Sequence, residues 1–295
     1  MRVDLLIVDP QNDFCVADDG HGNRGALVVP GADQDMARVA ALIRRIGHKL
    51  NDIHVTLDSH HEVAIERPAW WKRIGDGAHP EPFTILGIHP DGKRIVKFNA
   101  DAAGLHPTDE EYTTAMPSFL HQGGPTGKGS FGYLQALAAN GRYPHVVWPM
   151  HCLIGDWGHN VVPELRQALK EWCLQGPGTV EYVTKGSNPW TEHFSGVKAE
   201  VPDPTDPTTQ INTGLIQSLE EADIIAVTGE ALSHCVASTV TDVGSCFSDP
   251  KYIKKLVLLT DASSNVAGFE FLGDQFIQEM TAKGMQLSDS VSFLA

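Results

Sequence analysis

Asp9, Lys185 and Cys235 each sit at or just beyond the end of a short apolar run: Val3 to Val8 (VDLLIV), Val180 to Val183 and Ile224 to Val227. A thiol that attacks an amide needs a base to take its proton and return it to the leaving ammonia, and Asp9 is a carboxylate placed to do so. The Lys185 charge would hold Asp9 ionised and favour the thiolate. Cys235 follows Gly229-Glu230-Ala231-Leu232 and is expected in the first turn of a helix starting near Ser233. Free backbone N–H groups there lower a thiol pKa and can receive an oxyanion. Each residue also has a plainer reading: a small buried helix side chain for Cys235, a turn former for Asp9, a solvated surface charge for Lys185. Only their joint position points to chemistry.

A second group has the character of metal ligands. Asp58-Ser59-His60 puts a carboxylate and an imidazole on the same side of an extended segment, and His151 ends Trp148-Pro149-Met150-His151. Two histidines and a carboxylate suit zinc, iron or manganese. With 14 histidines in the chain, no single one carries this reading. Other patterns carry less. Gly123 to Ser130 (GGPTGKGS) lacks the Ser or Thr after Lys128 and the preceding strand that a phosphate loop requires. His234 adjoins Cys235 but points elsewhere on a helix, so it is a poor base for that thiol. Cys15, Cys152, Cys173 and Cys246 read as structural.

These residues must be positioned by the elements between them. Apolar runs at Val3 to Val8, Ile53 to Leu57, His145 to Trp148, Val180 to Val183, Ile224 to Val227 and Leu256 to Leu259 read as buried strands. They alternate with helical patterns at Asp33 to Leu50, Phe131 to Asn140, Val161 to Leu174, Gln210 to Glu221, His234 to Phe247 and Phe269 to Lys283. The alternation predicts an α/β fold, a three-layer α-β-α arrangement around a six-stranded, mostly parallel sheet. Functional residues of such sheets gather at the carboxyl ends of the strands. Residues 1–295 read as a single domain, with a Gly-, Pro- and His-rich insertion at about 85–143 that would serve as lid or oligomer contact. Val201 to Thr208 (VPDPTDPT) reads as an extended loop.

Composition narrows the partners. The chain is 42% hydrophobic and 20% charged, with a net charge of −15, which repels phosphate backbones and anionic lipid. Nucleic acid and membranes are therefore excluded as expected partners. No apolar run approaches the roughly 18 residues of a membrane span. Five dispersed cysteines without a C-x-x-C pair suit a reducing, cytoplasmic setting.

Leu6-Ile7-Val8-Asp9-Pro10-Gln11-Asn12-Asp13-Phe14, Asp58-Ser59-His60, Trp148-Pro149-Met150-His151-Cys152, Lys185-Gly186 and Gly229-Glu230-Ala231-Leu232-Ser233-His234-Cys235-Val236 resemble, in that order, the motifs of the nicotinamidase and isochorismatase-like cysteine hydrolases. The resemblance spans nearly the whole chain. It implies the isochorismatase-like hydrolase fold, a catalytic triad of Asp9, Lys185 and Cys235, and a divalent metal, zinc in the first instance, on Asp58, His60 and His151. It further implies a cis peptide before Ala231, an oxyanion hole from the N–H groups of Ala231 and Cys235, and Phe14 packed against the substrate ring. The implied reaction converts nicotinamide to nicotinic acid and ammonia through a thioester, in a homo-oligomer acting on a small-molecule amide.

The chain departs from that pattern after Asp-x-His. Where the family usually supplies another histidine, this sequence has Glu66-Arg67-Pro68, so Glu66 is expected as a replacement ligand, with water, His61 or loss of the metal as alternatives. Competing readings are a hydrolase of another small amide, carbamoyl or ureido compound, and an idle binding module on the same fold. Isochorismatases proper generally lack the nucleophilic cysteine, so Cys235 argues against vinyl ether cleavage.

Overall fold

The computed structural model describes every residue except 102, 118–122 and 177. In chain order its strands are β1 (Val3–Val8), β2 (Asp52–Asp58), β3 (Trp71–Arg73), β4 (Ile85–Ile88), β5 (Ile95–Asp101), β6 (Gly104–Thr114), β7 (His145–Val146), β8 (Glu181–Lys185), β9 (Ile224–Gly229), β10 (Leu256–Leu259) and β11 (Gln286–Ser288). The α-helices are α1 (Asn12–Cys15), α2 (Ala32–Ile46), α3 (Gly129–Asn140), α4 (Pro163–Gln175), α5 (Thr213–Glu221), α6 (Ala237–Cys246) and α7 (Glu270–Lys283).

Six strands pair in the order β11-β10-β9-β1-β2-β8, every neighbour parallel. Because side chains alternate along a strand, β1 serves both faces. Val3, Leu5 and Ile7 pack with Met36, Val39 and Ile43 of α2 and Leu165 and Leu169 of α4. Leu6 and Val8 face Leu215 of α5, Val240 and Val243 of α6, and Phe276 and Met280 of α7. Fully burying each such aliphatic side chain contributes about 1.5–3 kcal/mol, so β1 is held from both sides. Among the described residues no helix is long and apolar enough to cross a membrane.

Two expectations about the strands are corrected. His145 to Trp148 does not join the parallel sheet; β7 pairs antiparallel with β4 in a second, five-stranded sheet of order β3-β6-β5-β4-β7. An apolar run shows that a strand is buried but not which sheet takes it. The sixth parallel strand is β11, whose three residues, Gln286, Leu287 and Ser288, carry no apolar run. The segment at 85–143 is likewise not weakly structured where it is described. It supplies β4 to β6 and α3, and with Trp70, Trp71 and Ile65 it forms a third core around Leu86, Ile95, Tyr112, Tyr133, Leu134 and Leu137.

Candidate active site

The register of the parallel sheet assembles the site. Asp58 pairs directly with Lys185 across β2 and β8, and Val8 pairs with Gly229 across β1 and β9, so Asp9 and the turn before Cys235 leave the sheet side by side. Asp9 turns out of the strand with φ 45°, a left-handed conformation that Asp tolerates better than most residues. Thr56 fixes that turn: its carbonyl and hydroxyl accept from Asp9 N at 3.2 Å and 3.1 Å, and its hydroxyl donates to Asp9 Oδ1 at 2.5 Å. Gly229 has φ 122°, and a Cβ there would lie 2.1 Å from the Val8 carbonyl oxygen, so only glycine permits the close passage of β9 past β1.

Lys185 joins the groups. Its Nζ lies 2.8 Å from Asp9 Oδ2, 2.8 Å from Asp58 Oδ1 and 3.7 Å from Cys235 Sγ, and it donates to the His193 carbonyl at 3.1 Å. Burial works against its charge, but Asp58 and Asp9 outweigh that and raise its pKa well above the ordinary lysine value. Burial raises Asp9, with Lys185 opposing. Burial also pushes the Cys235 thiol well up, again against Lys185, and Asp9 is in hydrogen-bonding contact with it. The expectation of a thiol made acidic by a helix N-terminus is therefore corrected. Cys235 lies in the wide turn Leu232–Val236 that precedes α6, and there desolvation dominates. Cys235 is thus held as a neutral thiol beside an Asp9 carboxyl of raised proton affinity. The peptide between Glu230 and Ala231 is cis.

Ligand atoms of Asp58, His60 and His151 lie within 4.8 Å of one another, all three residues buried. His60 Nε2 is 2.7 Å from Asp58 Oδ2 and His151 Nε2 is 3.3 Å from the same oxygen. Burial would push the Asp58 carboxyl up, but His60 and Lys185 bring it well below its ordinary value. Burial and Arg67 lower His151 to about 4, leaving a neutral imidazole. His60 is pushed to about 9; burial and Arg67 oppose this, and Asp58 overcomes them. A carboxylate and two imidazoles converging in this way fit a divalent cation, whose binding displaces the His60 proton. Gly186, at φ 83°, lets the chain turn away beside the group, since a Cβ there would meet His60 Cε1 at 2.8 Å.

Glu66 does not converge with the other three. Its Oε1 lies 3.1 Å from His60 Nδ1, the nitrogen facing away from Asp58, and 3.5 Å from Arg67 Nε. It backs His60 and orients the ring rather than completing the set. His61 is exposed and takes no part. Arg67, fully buried, donates through Nη1 to the Pro149 carbonyl at 2.6 Å, with His151 Nδ1 2.9 Å from the same nitrogen.

These residues open onto a narrow cavity, with about 30 Å³ open to the centre of a water molecule, lined by Phe14, Trp148, His151, Phe194, His234 and Cys235 together with Asp58, Ala231 and Glu192. Phe14 faces His151 with ring centroids 5.3 Å apart. His234 stacks on Tyr143 at 5.3 Å and stands edge-on to Trp148 at 5.4 Å, so it is a wall of the cavity. Glu192 was not foreseen. It lies in a loop without periodicity, and burial together with Glu66 raises its carboxyl to about 8.

The sequence matches no family model and no curated relative. The fold, however, is that of the solved nicotinamidases and pyrazinamidases, with nearly complete coverage of both chains in each comparison. The yeast nicotinamidase bound to the inhibitor nicotinaldehyde superposes with a TM-score of 0.58 at 17% identity, over 97% of this chain and 99% of that one. A nicotinamidase/pyrazinamidase of Acinetobacter baumanii gives 0.56 at 18% identity, over 99% and 98%. The pyrazinamidase of Pyrococcus horikoshii in complex with zinc gives 0.51 at 18% identity, over 98% and 99%.

Proposed function

We propose that this protein is a cysteine amidohydrolase acting on a small aromatic carboxamide, with nicotinamide the leading substrate and nicotinic acid and ammonia the products. The observation that carries the reading is the position of Lys185, whose Nζ lies 2.8 Å from the carboxylates of both Asp9 and Asp58 and 3.7 Å from the Cys235 sulfur. One buried cation thus ties the nucleophile and its base to the metal-binding group at a small aromatic cavity. The folds of the nicotinamidases that bind nicotinaldehyde and nicotinate support the substrate class.

In this reading Asp9 takes the Cys235 proton as the sulfur attacks the carboxamide carbon. The N–H groups of Ala231 and Cys235 receive the oxyanion, and Lys185 balances the charge that moves between thiol and carboxylate. Asp9 then returns the proton to the departing nitrogen, which leaves as ammonia. The remaining thioester is hydrolysed when Asp9 deprotonates a water molecule, releasing the acid and restoring the thiol. Phe14 flanks the ring of the substrate. A divalent metal, zinc by analogy with the pyrazinamidase bound to it, would be held by Asp58, His60 and His151 and would supply a Lewis-acidic partner for a ring nitrogen.

Ammonia release from nicotinamide by wild type and by Cys235→Ala tests the proposal. Wild-type turnover that disappears in the variant, with unchanged circular dichroism, is the expected result. Turnover surviving in Cys235→Ala would refute the nucleophile, and silence of both on nicotinamide alongside hydrolysis of another small amide by wild type would refute the substrate.

A further inference from the structure

Glu230 stands immediately before Ala231, and neither the nucleophilic group nor the metal group uses it. Its side chain is fully buried, and its Oε2 accepts from Ser264 N at 3.2 Å. The Ser264 hydroxyl donates to Asp35 Oδ2, in the first turn of α2, at 2.5 Å. The Ser264 carbonyl accepts from Leu232 N at 2.7 Å, and Glu230 N donates to the Val8 carbonyl at 2.8 Å. Ser264 therefore grips the chain on both sides of Ala231, and Asp35 holds Ser264.

The two carboxyl groups thus meet at one residue, Ser264, and Glu230 Oε1 has no hydrogen-bond partner among the described residues. Buried carboxyl groups this close in the fold disfavour each other's ionisation. Burial first and the Asp35 charge second push Glu230 well above the ordinary carboxylate range. Around the pair stand Arg38, whose Nη1 is 3.0 Å from Asp35 Oδ1, the Asp261 carboxylate and, on the other side, the buried Cys15 thiol, with Asp33 and Asp9 farther off.

We infer that Glu230 and Asp35, clasped through Ser264, are positioning residues that aim the Ala231 N–H at the oxyanion of the reaction proposed above, the reading on which this inference rests. Ala231 has no polar side chain of its own to fix its peptide plane. The two bonds to Ser264 do so from outside the cavity, without touching substrate.

The test separates oxyanion formation from thiol reactivity, using probes that do not depend on which amide is the natural substrate. With 4-nitrophenyl acetate the Cys235 sulfur bonds to the acetyl carbon through an oxyanion, 4-nitrophenolate leaves and the thiol proton passes to Asp9. With iodoacetamide the sulfur bonds to the methylene carbon, iodide leaves, and no oxyanion forms. Glu230→Ala is expected to slow acylation about 10- to 100-fold, the scale on which oxyanion donors act, while alkylation is unchanged. Glu230→Gln, whose amide accepts from Ser264, restores acylation. In wild type the ratio of acylation to alkylation falls at alkaline pH as Glu230 loses its proton, and in Glu230→Gln it stays level; these two profiles decide the question even if Glu230→Ala does not fold.

Parallel loss of both reactions in Glu230→Ala, identical pH profiles, or a wild type that acylates no faster than Cys235→Ala would each overturn the inference. Failure to release ammonia from nicotinamide, with these ratios behaving as described, would refute the substrate and leave the clasp standing.

Discussion

Lys185 is the residue on which the rest of the site depends, because its ammonium bridges the buried carboxylates of Asp9 and Asp58. Replacing it with methionine leaves those two groups facing each other out of water. Removing one partner of a buried ion pair costs about 3–5 kcal/mol, so Lys185→Met is expected to lose stability on that scale in urea unfolding and to lose amide turnover with it. A variant that unfolds at the wild-type urea concentration would show that the lysine does not bridge the two carboxylates. The convergence of Asp9, Lys185 and Cys235 could be read from the sequence, since each follows an apolar run and parallel sheets gather such residues at one edge. The role of Glu66 could not, because which nitrogen of His60 it meets depends on the path of residues 61–65. Glu192 and Arg67 were equally hidden: a charged residue in an aperiodic stretch reads as a solvated surface group until burial is known.

At the scale of elements, α6, which follows the Cys235 turn, is fastened by charge to the chain just beyond α3, the helix of the second sheet. Arg142, just beyond α3, holds Asp242 of α6 through Nη2 at 2.5 Å and Glu200 Oε1 through Nη1 at 3.4 Å. Burial first, opposed by Arg142, raises the Glu200 carboxyl to about 7 from an ordinary 4.5. A folded-state value above the unfolded one means that the group's contribution is fully present below about pH 4.5 and is lost as pH rises through about 7. The unfolding free energy of Glu200→Gln minus that of wild type is therefore expected to rise between those two values and to level off above them, measured by urea titration at a series of pH values. A difference that does not change with pH would show that burial does not raise the Glu200 carboxyl above its unfolded value. The sequence showed α3 and α6 as periodic patterns, but α3 lies within the Gly-, Pro- and His-rich segment at 85–143, and the His145 to Trp148 strand beside it was expected in the parallel sheet. An antiparallel β7 and a parallel strand have the same apolar appearance, and β11 is too short and too polar to register.

On the scale of the whole molecule, the proposed metal links the two sheets. Asp58 and His60 leave the parallel sheet at the end of β2, whereas His151 comes from the chain that has just left β7 in the second sheet, and an isolated bridge between His60 and Leu153 holds the two paths together. A cation bound only by the folded arrangement must stabilise it by mass action, about 2.7 kcal/mol at a free concentration 100 times the dissociation constant. Zinc added to chelator-treated wild type is therefore expected to raise the urea midpoint, and His60→Ala should abolish the rise. Because His60 must surrender a proton held up to about pH 9, the gain should grow as pH rises toward that value. An equal zinc effect in wild type and His60→Ala would place the cation elsewhere. No effect in wild type would overturn the metal reading and leave Asp58 neutralised by Lys185 and the protonated His60.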